Sequence, residues 1–358
     1  MRAAVTTGAL VAALSVLGAA SSTAQSTAAR LSPDVFDVIP PETRVAGPPG
    51  GMRVVEARCR PGRVDWARRR IVDIAVQEWA VFGFQTIDAT AVQTRVLPEG
   101  VVGDAANPEL PRPRQARPLM RVGRWESDRR VAATIGGYWS ATPDGPRVIS
   151  RQNDQWRDGE GEINWVQPWS AAFVSWVMCE AGLDRPEVFQ RDISHRVYID
   201  QAIRARDGQA PEAAYVAHDL GEAEIVPGDM LCNARGSVRY RTLADRRGEL
   251  GEYAPTHCDI VVSVGADRLA VVGGNVVNGV SLTLLPLVRD QGGHPRPVAE
   301  QDLAGARTIF AHLSLRAPAI EGVAIEASPT VRALNAQVPE PTSLEPREGG
   351  EDEDGDAR

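Results

Sequence analysis

Three short stretches carry residue types that could do acyl chemistry together. They are Pro168-Trp169-Ser170-Ala171-Ala172-Phe173-Val174-Ser175-Trp176, then His257-Cys258-Asp259-Ile260-Val261-Val262, then Gly273-Gly274-Asn275. A nucleophile at a helix N-terminus sits among unpaired N–H groups at the positive end of the helix dipole, which stabilise an anionic oxygen or sulfur. A histidine opening an adjacent strand can take the nucleophile's proton, and an asparagine on the next strand can hold the imidazole in one tautomer. Each residue also has a plainer role. Ser170 after Pro-Trp suits a helix N-cap, His257 a half-buried core histidine, and Asn275 after two glycines a turn.

The order of these stretches resembles the CHAP and NlpC/p60 superfamily of papain-like amidases and peptidases. There, a helix opens with a Cys-Ala-x-Phe-Val-type run, a strand begins with His, and the next strand supplies the residue that orients it. Together with Pro227-Gly228-Asp229-Met230-Leu231-Cys232, the set is more closely similar to an exported bacterial family known as domain of unknown function 2272, from about Asp65 to Leu315. The resemblance implies an α+β, papain-like NlpC/p60-type fold, with N-terminal helices packed on a small antiparallel β-sheet. It puts Ser170 at the nucleophile position, His257 as base and Asn275 as orienter, with the backbone N–H of Ser170 or its neighbours facing the oxyanion. The implied substrates are amide bonds of peptidoglycan stem peptides. The alternative is a catalytically silent domain that keeps the cleft to bind peptidoglycan or a partner.

The chain departs from that pattern in three places. Ser170 stands where the superfamily carries Cys, and a hydroxyl depends wholly on its base and oxyanion hole. An Asn orienter stabilises an imidazolium less than an Asp would, and Asp259 sits where the amidase relatives often have Gly. Cys179 is no substitute nucleophile, because nine residues along a helix is about 900° of rotation, which puts it on the opposite face from Ser170. Trp165 and Trp169 are the aromatic candidates for lining a cleft, with core packing as their other role.

The elements that must position these residues are legible in outline. Apolar periodicity predicts a helix from Asp65, as N-cap, through Ile71, Ile74, Ala75, Trp79 and Phe82 to a stop at Gly83. Further helices are expected from near Ser127, over Ser170 to Ala181, and from Ser194 to Gly208. Pro98 to Pro118 has no periodicity and reads as an irregular excursion. Strands are expected at Asp229 to Cys232, His257 to Val264, Leu269 to Gly273, Val276 to Leu285 and Thr308 to Leu315. Helices first and strands second argue for an α+β domain with an antiparallel sheet.

All 39 basic residues among the 358 are Arg, and none is Lys. That excludes Schiff-base chemistry, a Walker A site and a Ser-Lys dyad. The five histidines and four cysteines show no ligand spacing, so neither metal nor cofactor is expected. Of the net charge of −8, the run from Glu340 to Arg358 holds −6, leaving a nearly neutral body with no basic stripe for nucleic acid. The acidic end is a candidate for docking a basic partner.

Arg2, the apolar Ala3 to Ala20 and Ser22-Thr23-Ala24 read as a cleavable signal peptide over residues 1–24. The expectation is a periplasmic or secreted protein with no membrane span after cleavage. Residues 25–52 read as a Pro/Ala/Ser-rich linker, 53–317 as one domain and 318–358 as a disordered acidic tail. In that compartment Cys232 and Cys258, on strands expected to be neighbours, can form a disulfide or remain core thiols.

Overall fold

The computed structural model describes residues 28–90, 123–236, 238–289, 293–302, 306–320 and 325–337. The expected signal peptide, the excursion from Pro98 to Pro118 and the acidic end from Glu340 lie outside them.

Seven helices and eleven strands are present among the described residues. The helices are α1 (Val64–Val81), α2 (Ala132–Ser140), α3 (Gly145–Asp158), α4 (Ser170–Glu180), α5 (His195–Arg206), α6 (Leu243–Arg247) and α7 (Pro329–Gln337). The strands are β1 (Val45–Ala46), β2 (Arg53–Val54), β3 (Thr86–Asp88), β4 (Tyr215–His218), β5 (Met230–Ala234), β6 (Thr256–Val264), β7 (Arg268–Val276), β8 (Gly279–Val288), β9 (Arg296–Pro297), β10 (Glu300–Asp302) and β11 (Ala306–Leu315). No described helix is long and apolar enough to cross a membrane.

The fold is α+β, but its sheet is neither small nor wholly antiparallel. Its order is β10-β11-β5-β6-β7-β8-β3, with β4 also on β11 and the two-residue β9 on β8. Every pair is antiparallel except β3 with β8. The exception arises because α1 ends in a tight reversal, with Gly83 and Phe84 both at positive φ. The chain then runs back alongside β8, held by Gln85 Nε2 donating to Ser281 Oγ at 2.6 Å. Side chains alternate across the sheet. Cys232, Cys258, Ile260 and Val272 join the large core beneath the helices, while Leu231, Val261, Val271 and Ile309 form a smaller cluster on the other face.

α1 is buried on most sides, so its polar residues must find partners. Arg68 bonds Asp229, Gln77 accepts the Leu31 N–H, and Glu78 receives Arg30 and Tyr138. The cap differs from expectation. The helix starts after Arg63, and Asp65 lies in the first turn, where its charge suits the dipole.

Residues 28–52 are not a free linker. Phe36, Val38, Val45 and Met52 are buried, and Arg44, 1% exposed, pairs with the fully buried Glu180 at 2.9 Å. Proline content misled here, because these prolines shape a 3-10 turn at Pro41–Arg44 that packs on α2. The expected tail likewise contains α7, packed on α1.

Two disulfides close the fold, Cys59–Cys179 and Cys232–Cys258. The second joins residues directly opposite on β5 and β6.

Two outcomes follow from this packing. Glu180→Ala should destabilise the protein by about 3–5 kcal/mol in urea denaturation because it strands the Arg44 charge, and pairing it with Arg44→Met should recover much of that loss. Gly274→Ala would set a Cβ 2.5 Å from Phe173 Cβ. It should lower the melting temperature by pushing α4 off β7.

Candidate functional site

α4 is buried along its whole length, so packing alone fixes where it starts. Trp169, at its N-cap, lies against Phe82 and Tyr138, and Tyr138 also meets Phe173 and Trp176. Ser170 is the first residue of the helix, and among the described residues its hydroxyl bonds no backbone N–H. That hydroxyl lies 2.7 Å from Nε2 of His195, the first residue of α5. The two helix starts are tied together by Ser175, whose hydroxyl donates to the Asp192 carbonyl at 3.0 Å and accepts the Asp192 N–H at 3.2 Å.

The state of His195 follows from its other nitrogen. Nδ1 accepts the backbone N–H of Cys258 at 3.1 Å and also meets the Tyr198 hydroxyl. A backbone N–H can only donate, so Nδ1 is unprotonated and the proton of the neutral ring resides on Nε2. His195 therefore donates to Ser170 Oγ. Burial, reinforced by His257, Arg235 and Arg307, holds its pKa well below the ordinary histidine value. The hydroxyl proton of Ser170 remains free for another acceptor.

His257, fully buried on β6, supplies a ring of the opposite kind. Its Nε2 lies 2.7 Å from Asp259 Oδ1, and residues two apart on a strand share a face. Burial alone would raise the Asp259 pKa, but His257, Arg307 and Arg235 outweigh it and hold the carboxylate below its usual range. The ionised Asp259 accepts Nε2–H, which leaves Nδ1 with a bare lone pair. That Nδ1 is buried and has no hydrogen bond among the described residues. Burial also lowers the His257 pKa, against the opposing effect of Asp259. The two imidazole centroids are 4.9 Å apart. Asp259 has room because residue 273 is glycine, where a Cβ would stand 1.9 Å from its Oδ1.

Of the three residues singled out from sequence, Ser170 and His257 belong to this cluster through His195, with no direct hydrogen bond between them. Asn275 takes a different place. With its amide turned so that oxygen faces donor and nitrogen faces acceptor, it accepts the Trp169 backbone N–H at 3.1 Å and donates to Glu126 at 3.2 Å, which seats the start of α4 and leaves His257 to Asp259. Trp169 is completely buried and Trp165 is 6% exposed. Both pack in the core, Trp165 against Trp139 and Trp156. Cys179 is in a disulfide on the far end of α4 from Ser170. In the sequence His195 is marked only as lying at the start of the helix expected from Ser194, and no periodicity signals that two helix starts meet. Asp259 is visible in the sequence as a departure from the pattern that the motifs resemble, and it is what holds the imidazole.

Searches of curated proteins and of solved structures each found no match to the chain. The comparison with family models found one over residues 126–297. The matched stretch contains Ser170, His195, His257, Asp259 and Asn275 and ends before β11. Over residues 126–297 the chain matches the model of DUF2272, a family described as an uncharacterized protein conserved in bacteria.

Proposed function

We propose that this protein is a cell-wall amidase- or peptidase-like hydrolase with a papain-like arrangement. Serine replaces the nucleophilic cysteine, and the bonds cut are amides of peptidoglycan stem peptides. The observation that carries this reading is the bare, buried Nδ1 of His257, fixed in that tautomer by an ionised Asp259, in the same cluster as a helix-start serine whose hydroxyl does no capping. The two disulfides suit a periplasmic or secreted location, where such substrates are found.

In the proposed reaction Ser170 Oγ attacks the amide carbonyl carbon as its proton passes to His257 Nδ1. The unpaired N–H groups of the first turn of α4 receive the oxyanion. The imidazolium, stabilised by Asp259, then gives that proton to the departing amine. Water enters, losing a proton to His257 as its oxygen attacks the acyl carbon. Collapse of that second intermediate returns the proton to Ser170 Oγ and frees the acid. His195 donates to Ser170 Oγ and keeps the hydroxyl proton turned elsewhere. The Ser170–His257 hydrogen bond has to form on substrate binding, as catalytic hydrogen bonds often do.

A second reading, a catalytically silent domain that binds cell-wall peptides, is favoured by one observation: Ser170 is 4% exposed and bonds a histidine in the wrong tautomer to accept its proton. Mass spectrometry of fragments released from purified sacculi separates the two. The protein should release defined peptides and Ser170→Ala none. If both merely sediment with sacculi, the binding reading replaces the enzyme.

Asp259→Asn should lower kcat about 10²–10⁴-fold with little change in fold, read by the same assay and by circular dichroism. The pH dependence carries a sign. His257 must be unprotonated to act, and its pKa is lowered, so the acid limb of kcat/KM should fall below the ordinary histidine value of about 6.5. A limb above that value contradicts His257 as base.

A further inference from the structure

The sheet register gathers three more polar residues on the face that carries His257 and Asp259. Asn233 on β5 stands directly opposite His257, and Ala234 opposite Thr256. On the other side of β5, Ile309 faces Asn233 and Thr308 faces Ala234. One step further along that ladder sets Arg307 across from Arg235, whose N–H bonds the Pro255 carbonyl at 2.9 Å. Opposed residues share a face, as do residues two apart on one strand, so Arg307, Arg235 and Asn233 border His257 and Asp259.

Among the described residues these groups lack hydrogen-bond partners. Arg307 is only 8% exposed and Asn233 only 4%. Among the described residues no side-chain hydrogen bond or ion pair involves the Arg307 or Arg235 guanidinium, and both act on Asp259 through charge alone. Asn233 Oδ1 is buried without a donor. Buried polar groups are normally satisfied, so a concentration of orphans marks a place that a ligand completes. The charge is also unbalanced. Two guanidinium groups, which repel each other across the ladder, face one carboxylate, and that carboxylate already serves His257. With both histidines neutral the cluster is short of one negative charge.

We infer that Arg307, Arg235 and Asn233 form a subsite for a free carboxylate on a peptide substrate, beside the groups proposed to break its amide bond. The inference rests on that reading of Ser170 and His257. A guanidinium fork matches a carboxylate in two parallel hydrogen bonds, and the free Asn233 oxygen suits a peptide N–H. The substrate class is therefore an acidic peptide, cut near a free carboxylate.

Calorimetric binding to the Ser170→Ala protein tests this with two probes: acetylated stem peptides from sacculi with carboxylates free, and the same peptides with carboxylates capped as methylamides. The free peptides should bind about tenfold or more tightly. Arg307→Gln and Arg235→Gln, each added to Ser170→Ala, should erase most of that preference, while Arg307→Lys keeps part of it. Melting curves report folding, and the half-buried Arg235 carries the test if the Arg307 variant unfolds. Equal binding of free and capped peptides overturns the subsite, as does a preference that survives both Gln variants. A preference that depends on the two arginines supports the subsite even if the wild-type protein releases no fragments. In that case only the hydrolase reading falls.

Discussion

The buried carboxylate of Asp229 is the joint on which the rest of the structure depends. It accepts four hydrogen bonds: Arg68 Nη1 at 2.7 Å, His312 Nε2 at 2.8 Å, and the backbone N–H groups of Leu315 and Val226 at 3.0 and 3.1 Å. Arg68 in turn donates to the carbonyls of Pro227, Leu315 and Ala317. One node thus fixes α1, the turn entering β5 and the end of β11. Residue 228 has to be glycine there, since its φ is positive and a Cβ would meet Arg68 Cγ at 2.6 Å. A buried ionic network of this kind contributes little net stability but defines one geometry. Here it pins the end of β11 against the start of β5, the strand on which Asn233 stands across from His257.

The absence of lysine has a structural counterpart. Four cations drawn into the interior, Arg30, Arg44, Arg68 and Arg246, hold several acceptors each. Arg44 alone meets Ser140, Glu180 and the Arg58 carbonyl. A planar guanidinium can satisfy such divergent partners, and an ammonium on a flexible stem cannot do so with the same rigidity. Among the described residues the Arg307 and Arg235 guanidinium groups have no such acceptors, which sets them apart from these four.

The long strands were legible in the sequence because β-branched runs bounded by glycine have few other uses. β5, β6, β7, β8 and β11 fall within a few residues of where the pattern puts them. β3 and β4 are too short to carry a period. α3 was unread although Val148, Ile149, Gln152 and Trp156 are buried along one face, because polar residues dominate its sequence. In the 28–52 segment proline content suggests extension, whereas burial of Phe36, Val38 and Arg44 decides its place. Within the site, Ser170 and His257 stood out by type and context. The hydrogen bonds of His195, Asn275 and Asp259 depend on how two helix starts meet a strand edge, which no local pattern encodes.

The contact between Asp259 and Gly273 joins two positions that can change only in concert. An aspartate at 259 occupies the space of any side chain at 273, while a glycine at 259 would release that constraint and remove the partner of His257. In an alignment of this family, acid at the first position should therefore travel with glycine at the second. Chains that lost the acid would be free to fill the gap and draw their imidazole's partner from β7 instead.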